Sequence, residues 1–136
     1  MIKLFYKPYL YYNLFIRHKI QNKRSTYSQF QEDLFINNFF KDKSNGFYID
    51  IGCYHPVKYS NTALIYNKGW SGINIDLNQT SIDLFNIARK RDKNTCAAIS
   101  NNNQLAEFYF DHLLPDSVVD SSDYVPKSIQ KFFALD

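Results

Sequence analysis

Three features of this 136-residue chain predict an α/β domain on an open parallel sheet. Short apolar runs alternate with amphipathic stretches from about Phe30 to Ser100. Two of those runs end in an acid, Asp50 and Asp76. A lone glycine, Gly52, follows the first of them. Strands that alternate with helices of this length need right-handed crossovers, which lay the strands parallel in one sheet.

The length suits one domain or part of one. Apolar residues make up 45%, with 12 Phe and 11 Tyr, enough to build a core. The net charge of +3 is too weak to argue for nucleic acid. Cys53 and Cys96 have no metal-ligand spacing and form no CxxC. They read as free thiols of a reducing cytoplasm, or as small buried apolar residues. The expectation is a cytoplasmic protein without a metal.

The N-terminal arm, residues 1–24, begins "MIKLFYKPYLYYNLFIRHKI". Lys3, Lys7, Pro8 and Asn13 interrupt it, so it falls short of the roughly 18 apolar residues of a membrane span. It lacks the small-residue cleavage site of a signal peptide. It reads as a docking helix or an irregular arm. Aromatics with basic neighbours also suit peripheral contact with an anionic membrane.

"TYSQFQEDLFINNFFKDKSNG" follows, with Phe30, Leu34, Phe35 and Phe39 at helical spacing. Ser28 with Gln31 reads as a capping box, and Asn45-Gly46 as the closing turn. "FYIDI" (47–51) reads as the first strand. "YSNTALIYNKG" (59–69) reads as a helix closed by Gly69, and "WSGINIDLN" (70–78) as the second strand. "QTSIDLFNIARKR" (79–91) reads as a helix with Ile82, Leu84, Phe85 and Ala88 inward; Arg89, Lys90 and Arg91 complement its dipole. "NTCAAIS" (94–100) reads as a third strand, the asparagine run 101–103 as a turn, and "AEFYFD" (106–111) as a fourth strand. The domain thus runs from 25 to 111. Residues 112–136, with two prolines and several serines, read as an irregular tail.

Ligands of open parallel sheets bind beyond the carboxyl ends of the strands. Asp50 and Gly52 stand at such an end. Gly52 lets backbone turn tightly and approach a ligand. Asp76 ends the next strand, near where Rossmann-like folds set an acid against ribose hydroxyls. "GCYHPV" has one glycine, not the three of a dinucleotide fingerprint, and no phosphate loop occurs. A nucleoside ligand without a pyrophosphate remains, and S-adenosylmethionine fits: Asp76 for the ribose, Asp50 for the cationic end. The plainer reading is a strand-capping Asp and a turn Gly.

"YSQFQEDLFINNFF", "GFYIDIGCYHPVKYSNTALIYNKGWSGINIDLN" and "CAAIS" resemble, in order, the N-terminal half of FkbM-family methyltransferases. The resemblance spans about Tyr27 to Asp111. It departs at Gln31, where a glycine is usual, and at Cys53, where a small residue is common. It implies a class I, Rossmann-like methyltransferase fold that transfers a methyl group from S-adenosylmethionine, usually to oxygen. The acceptor it implies is a small molecule or a glycan.

By this resemblance Asp50, Gly52, Cys53, Tyr54 and His55 form the first cofactor loop. Asp76, Leu77 and Asn78 take the ribose. Ala98, Ile99 and Ser100 edge the adenine, and Gln29, Glu32 and Asp33 cover the site. Ser60, Asn61 and Thr62 would cap the next helix near the methionine carboxylate. His55 is the candidate general base, since imidazole titrates near neutrality; its other reading is a loop residue. The family's chain continues through a further strand ending in an acidic motif resembling "IDVEG", and nothing like it follows Asp111. The expectation is therefore a fragment or split form, a non-catalytic module derived from the fold, or a sheet completed by a partner chain.

Overall fold

The computed structural model describes residues 2–17 and 25–99, with side chains from Phe5, and the backbone of 105–110, 118–119 and 129–135. The chain divides into two units, Met1–Thr95 and Cys96–Asp136. The N-terminal arm belongs with the first unit, and the boundary falls after Thr95 rather than after residue 111.

The first unit is α/β: a three-stranded parallel sheet flanked by helices. It opens with α1 (Ile2–Tyr12), which contains Pro8 and runs into a π-helical turn, Asn13–Arg17. Then come α2 (Glu32–Phe39), β1 (Phe47–Ile51), α3 (Ala63–Asn67), β2 (Ser71–Asp76), α4 (Gln79–Ala88) and β3 (Lys93–Cys96). The strand order is β1-β2-β3. β1 and β2 pair in parallel with Asp50 opposite Asn74. Side chains alternate between faces along a strand, so Tyr48, Asp50, Gly72, Asn74 and Asp76 share one face.

Two apolar clusters hold this unit together. Tyr48, Ile65 and Trp70 form one, joined by Ile36, Phe40 and Tyr66. Leu10, Leu14 and Leu84 form the other, joined by Tyr6, Ile87 and Ala88. Residues 2–17 of the arm are thus a helix docked on α4, and the Tyr6 hydroxyl seals the contact by donating to Asp83 at 2.6 Å. Gly72 is required by packing: a Cβ there would collide with the carbonyl and ring of Tyr48.

Three boundaries differ from expectation. Ser28 caps no helix start; α2 begins at Glu32 behind Gln31, whose φ is 68°. Asp33 instead ties the preceding loop to the helix start. The Asp33 amide donates to Ser28 Oγ at 3.3 Å, and the Asp33 carboxylate takes the Tyr27 amide at 2.6 Å. α3 has five residues and starts at Ala63, because 59–62 are spent on a loop. α4 stops at Ala88, so Arg89 does not face the helix dipole from the surface. It turns inward and is 2% exposed.

The second unit is a four-stranded sheet of order β4-β7-β5-β6, with β4 Ala98–Ile99, β5 Leu105–Phe110, β6 Val118–Val119 and β7 Ile129–Leu135. β7 runs parallel to β4 and antiparallel to β5. Where one strand 94–100 was expected, β3 and β4 are separate, and the expected irregular tail contributes β6 and β7. Ser100, the 101–103 turn and Asp111 lie outside the described residues.

Candidate functional site

The carboxyl ends of β1 and β2 carry the two acids named from sequence. The loop that follows β1 keeps pairing with β2: the Gly52 and Cys53 amides donate to the Ile75 carbonyl at 2.9 and 3.2 Å. Asp76 then ties two loops together. Its Oδ2 accepts the Tyr54 amide and its Oδ1 the Asn78 amide, both at 2.8 Å. Asn78 in turn caps α4, its side-chain oxygen accepting the Thr80 amide at 2.8 Å. Each Asp76 oxygen retains a further lone pair.

Asp50 accepts the Thr62 hydroxyl on Oδ2 at 2.7 Å. The buried Cys53 thiol registers both acids. Burial first, then Asp76 and then Asp50, push its pKa well above the ordinary thiol value, while Arg89 opposes them. By register the two carboxylates stand on one face at the ends of neighbouring strands.

Gly52 has φ 71°, Tyr54 56° and Tyr59 56°. A left-handed conformation is unusual for a tyrosine, and such residues gather at ligand clamps. A Cβ built on Gly52 meets nothing within 4 Å, so the glycine leaves open space above the backbone. The Tyr54 and Tyr59 rings stack at 6.2 Å, with the Lys58 ammonium over both, at 5.6 and 4.8 Å from their centroids.

His55 is buried. Its Nδ1 accepts the Val57 and Lys58 amides at 3.0 and 2.9 Å, and its Nε2 meets Asn13 Oδ1 at 2.9 Å. Two donors on Nδ1 fix the proton on Nε2, which donates to Asn13. Both nitrogens staple the turn and join it to the arm. The ring is therefore not positioned as a general base.

Ser60 and Thr62 are buried and cap nothing; the Thr62 side chain makes no cap bond. They serve Arg89, a residue that sequence reading left on the surface. Arg89 Nη1 donates to Thr62 Oγ1 at 2.6 Å and to the Tyr48 hydroxyl at 3.2 Å; Nη2 donates to Ser60 Oγ at 2.7 Å and to the Pro56 carbonyl at 2.8 Å. Among the described residues, carboxylates reach this guanidinium only through hydroxyls. Asp50 does so through Thr62, and Asp92 through Tyr48, whose hydroxyl donates to Asp92. Burial foremost, eased by Arg89 and reinforced by Asp92, raises the Tyr48 pKa. Arg89 also walls a cavity of about 250 Å³ with Tyr27, Val57, Tyr66 and Asn67. An arginine inside a basic run carries no sequence signal of these contacts, whose partners lie 27 to 41 residues away.

The remaining expected site residues divide. Leu77 and Asn78 adjoin Asp76 on the loop into α4, and Asn61 is exposed beside Asp50's partner Thr62. Asp33 is fully buried. Burial pushes its carboxyl up, but the Ser28 and Thr26 hydroxyls and the Tyr27 and Leu34 amides outweigh burial and hold its pKa low. It fastens the loop before α2 rather than presenting an open carboxylate. Gln29 is exposed, and Glu32 accepts the Phe30 amide at 2.8 Å. Ala98 and Ile99 belong to the second unit, and Ser100 lies outside the described residues. No family model matches the chain, and neither does any curated protein or solved structure.

Proposed function

We propose that the chain binds S-adenosylmethionine beyond β1 and β2, as the cofactor-binding part of an FkbM-like O-methyltransferase. The single observation that supports this is Asp50 and Asp76 on one face of neighbouring parallel strands, with open space above Gly52. The residues present fit the group. Asp76 has the spare lone pairs to accept a vicinal diol and is held rigid by two amides. Asp50 bonds Thr62 through Oδ2, which leaves Oδ1 as the acceptor for the ammonium of the methionine end. The cofactor supplies an electrophilic methyl group. The chain's part is to orient that group, and alignment with an acceptor oxygen is the main source of rate in such a transfer.

Turnover requires an acceptor hydroxyl held in line with that methyl group. The acceptor class, a small molecule or a glycan hydroxyl, rests on the resemblance alone. A second reading, a non-catalytic module that retains the cofactor cleft, makes the same binding prediction without turnover.

Calorimetry with S-adenosylmethionine on the full chain tests the proposal. Saturable binding is expected, weakened roughly tenfold or more by Asp50→Asn, which removes a charge-assisted hydrogen bond. Asp76→Ala weakens it further and also frees the Tyr54 loop. Absence of binding to a folded sample overturns the proposal.

A further inference from the structure

We propose that the helix 2–17 lies on an anionic membrane surface while it stays docked on α4. The sequence left this arm between a docking element and a membrane-contact element; the structure divides those roles between two sides of one helix. The inner side carries Leu10, Asn13 and Leu14, all buried, with Tyr6 bonded to Asp83. The outer side carries Phe5, Tyr9, Tyr12 and Ile16, exposed by 67, 42, 50 and 64%. These four recur at four- and three-residue steps, so they form one ridge. Tyr11 and Phe15 stack beside it with centroids 5.9 Å apart.

Charge identifies the occupant. Lys7 and Arg17 of the same helix are exposed. In sequence, Lys3, Lys19, Lys23 and Arg24 extend the same sign, and the first acid of the chain is Glu32. Aromatic rings with a basic flank match the headgroup layer of an anionic bilayer, where tyrosines partition with the ring inward and the hydroxyl in water. A protein partner would need acceptors matched to single hydroxyls. A lipid surface needs only the ridge and the sign of charge. Among the described residues no helix is long and apolar enough to cross a membrane, so the geometry is that of a helix in the interfacial plane. This inference is independent of the cofactor proposal.

The test is co-sedimentation of the full chain with vesicles of phosphatidylcholine alone and of phosphatidylcholine mixed with phosphatidylserine. Binding to the mixture, little to phosphatidylcholine alone, and loss in high salt are expected. Lys7→Glu with Arg17→Glu is expected to weaken binding by roughly tenfold or more, at about 1 kcal/mol per basic residue near the surface. Phe5→Ser with Ile16→Ser, both on the exposed side, weakens it comparably and leaves the melting temperature unchanged. In a Phe5→Trp variant, emission shifts to the blue on anionic vesicles. Failure of the folded wild type to bind, equal binding to both vesicle types, or indifference to the Phe5 and Ile16 changes would each overturn the proposal.

Discussion

The two faces of β1 are built on opposite principles. One holds Tyr48 and Asp50 and belongs to a buried polar network that also includes Asn74, Asp92 and Arg89. The other presents Phe47, Ile49 and Ile51, exposed by 62, 59 and 62%. The usual arrangement of a half-buried strand is reversed, with its polar side covered and its apolar side open. α3 and α4 account for the first half of this. Ile65 of α3 packs on Tyr48, and Arg89 at the end of α4 bonds the Tyr48 hydroxyl. Right-handed crossovers place both connections on the same side, so that side must satisfy its buried polar groups. Stability should therefore reside in the polar face, and a propensity to associate in the apolar one.

Truncating Arg89 is the strongest challenge to this contrast. Arg89→Ala removes the donor to the Thr62, Ser60 and Tyr48 oxygens in a buried setting, at about 1 kcal/mol each. A loss of about 3 kcal/mol in urea unfolding is expected. A loss below about 1 kcal/mol, the value of a single ordinary hydrogen bond, would mean the hydroxyls find other partners and the network is incidental.

Asp33 comes next, and its effect depends on pH. Its folded pKa lies below the unfolded value, so its contribution is present above the unfolded value of about 3.9. That contribution disappears as pH falls through the folded pKa. Asp33→Ala is expected to cost about 2 kcal/mol at neutral pH, for a buried carboxylate that takes several donors. The gap from wild type should narrow in acid, and a gap constant down to the lowest pH measured would contradict the assignment.

Asn74 is fully buried, its amide donating to Asp92 at 2.9 Å and to Asn94 at 2.8 Å, while its own oxygen has no partner among the described residues. Asn74→Ala should cost about 1–2 kcal/mol by differential scanning calorimetry. Cys53 sharpens the same face chemically. Its thiol is held protonated by burial and two carboxylates, so iodoacetamide should label it slowly at pH 8 and rapidly once the chain is unfolded. Prompt labelling of the native protein would put the thiol outside the acid pair.

The smallest effect belongs to the apolar face. Ile49→Ser should change unfolding free energy by no more than about 0.5 kcal/mol, as for other exposed sites, while raising solubility in light scattering. A cost of several kcal/mol would show that this face is covered in solution.

How much of this was legible follows from what repeats along the chain. The strands 47–51 and 71–76 and the helix 79–88 are marked by apolar periodicity, and their parallel pairing follows from the order. Asp50 and Asp76 were found because a strand end is a definite place in sequence. Roles set by partners far along the chain were not readable. Ser60 and Thr62 look like helix caps until Arg89 occupies them, and His55 looks like a base until two amides and Asn13 claim its nitrogens. The start of α3 was placed too early, because Ser60 and Thr62 spend their hydroxyls on Arg89 rather than on a helix end. β7 escaped because "IQKFFAL" was too short an apolar run to separate from a loose end.

The hydrogen bond between His55 Nε2 and Asn13 Oδ1 is a mechanical linkage between segments otherwise 42 residues apart. Through this imidazole the N-terminal helix is tied to the Cys53–Lys58 turn. That turn includes Tyr54, whose amide rests on Asp76. Asn13→Ala would remove that link and leave the arm joined to α4 through Tyr6 and its leucines.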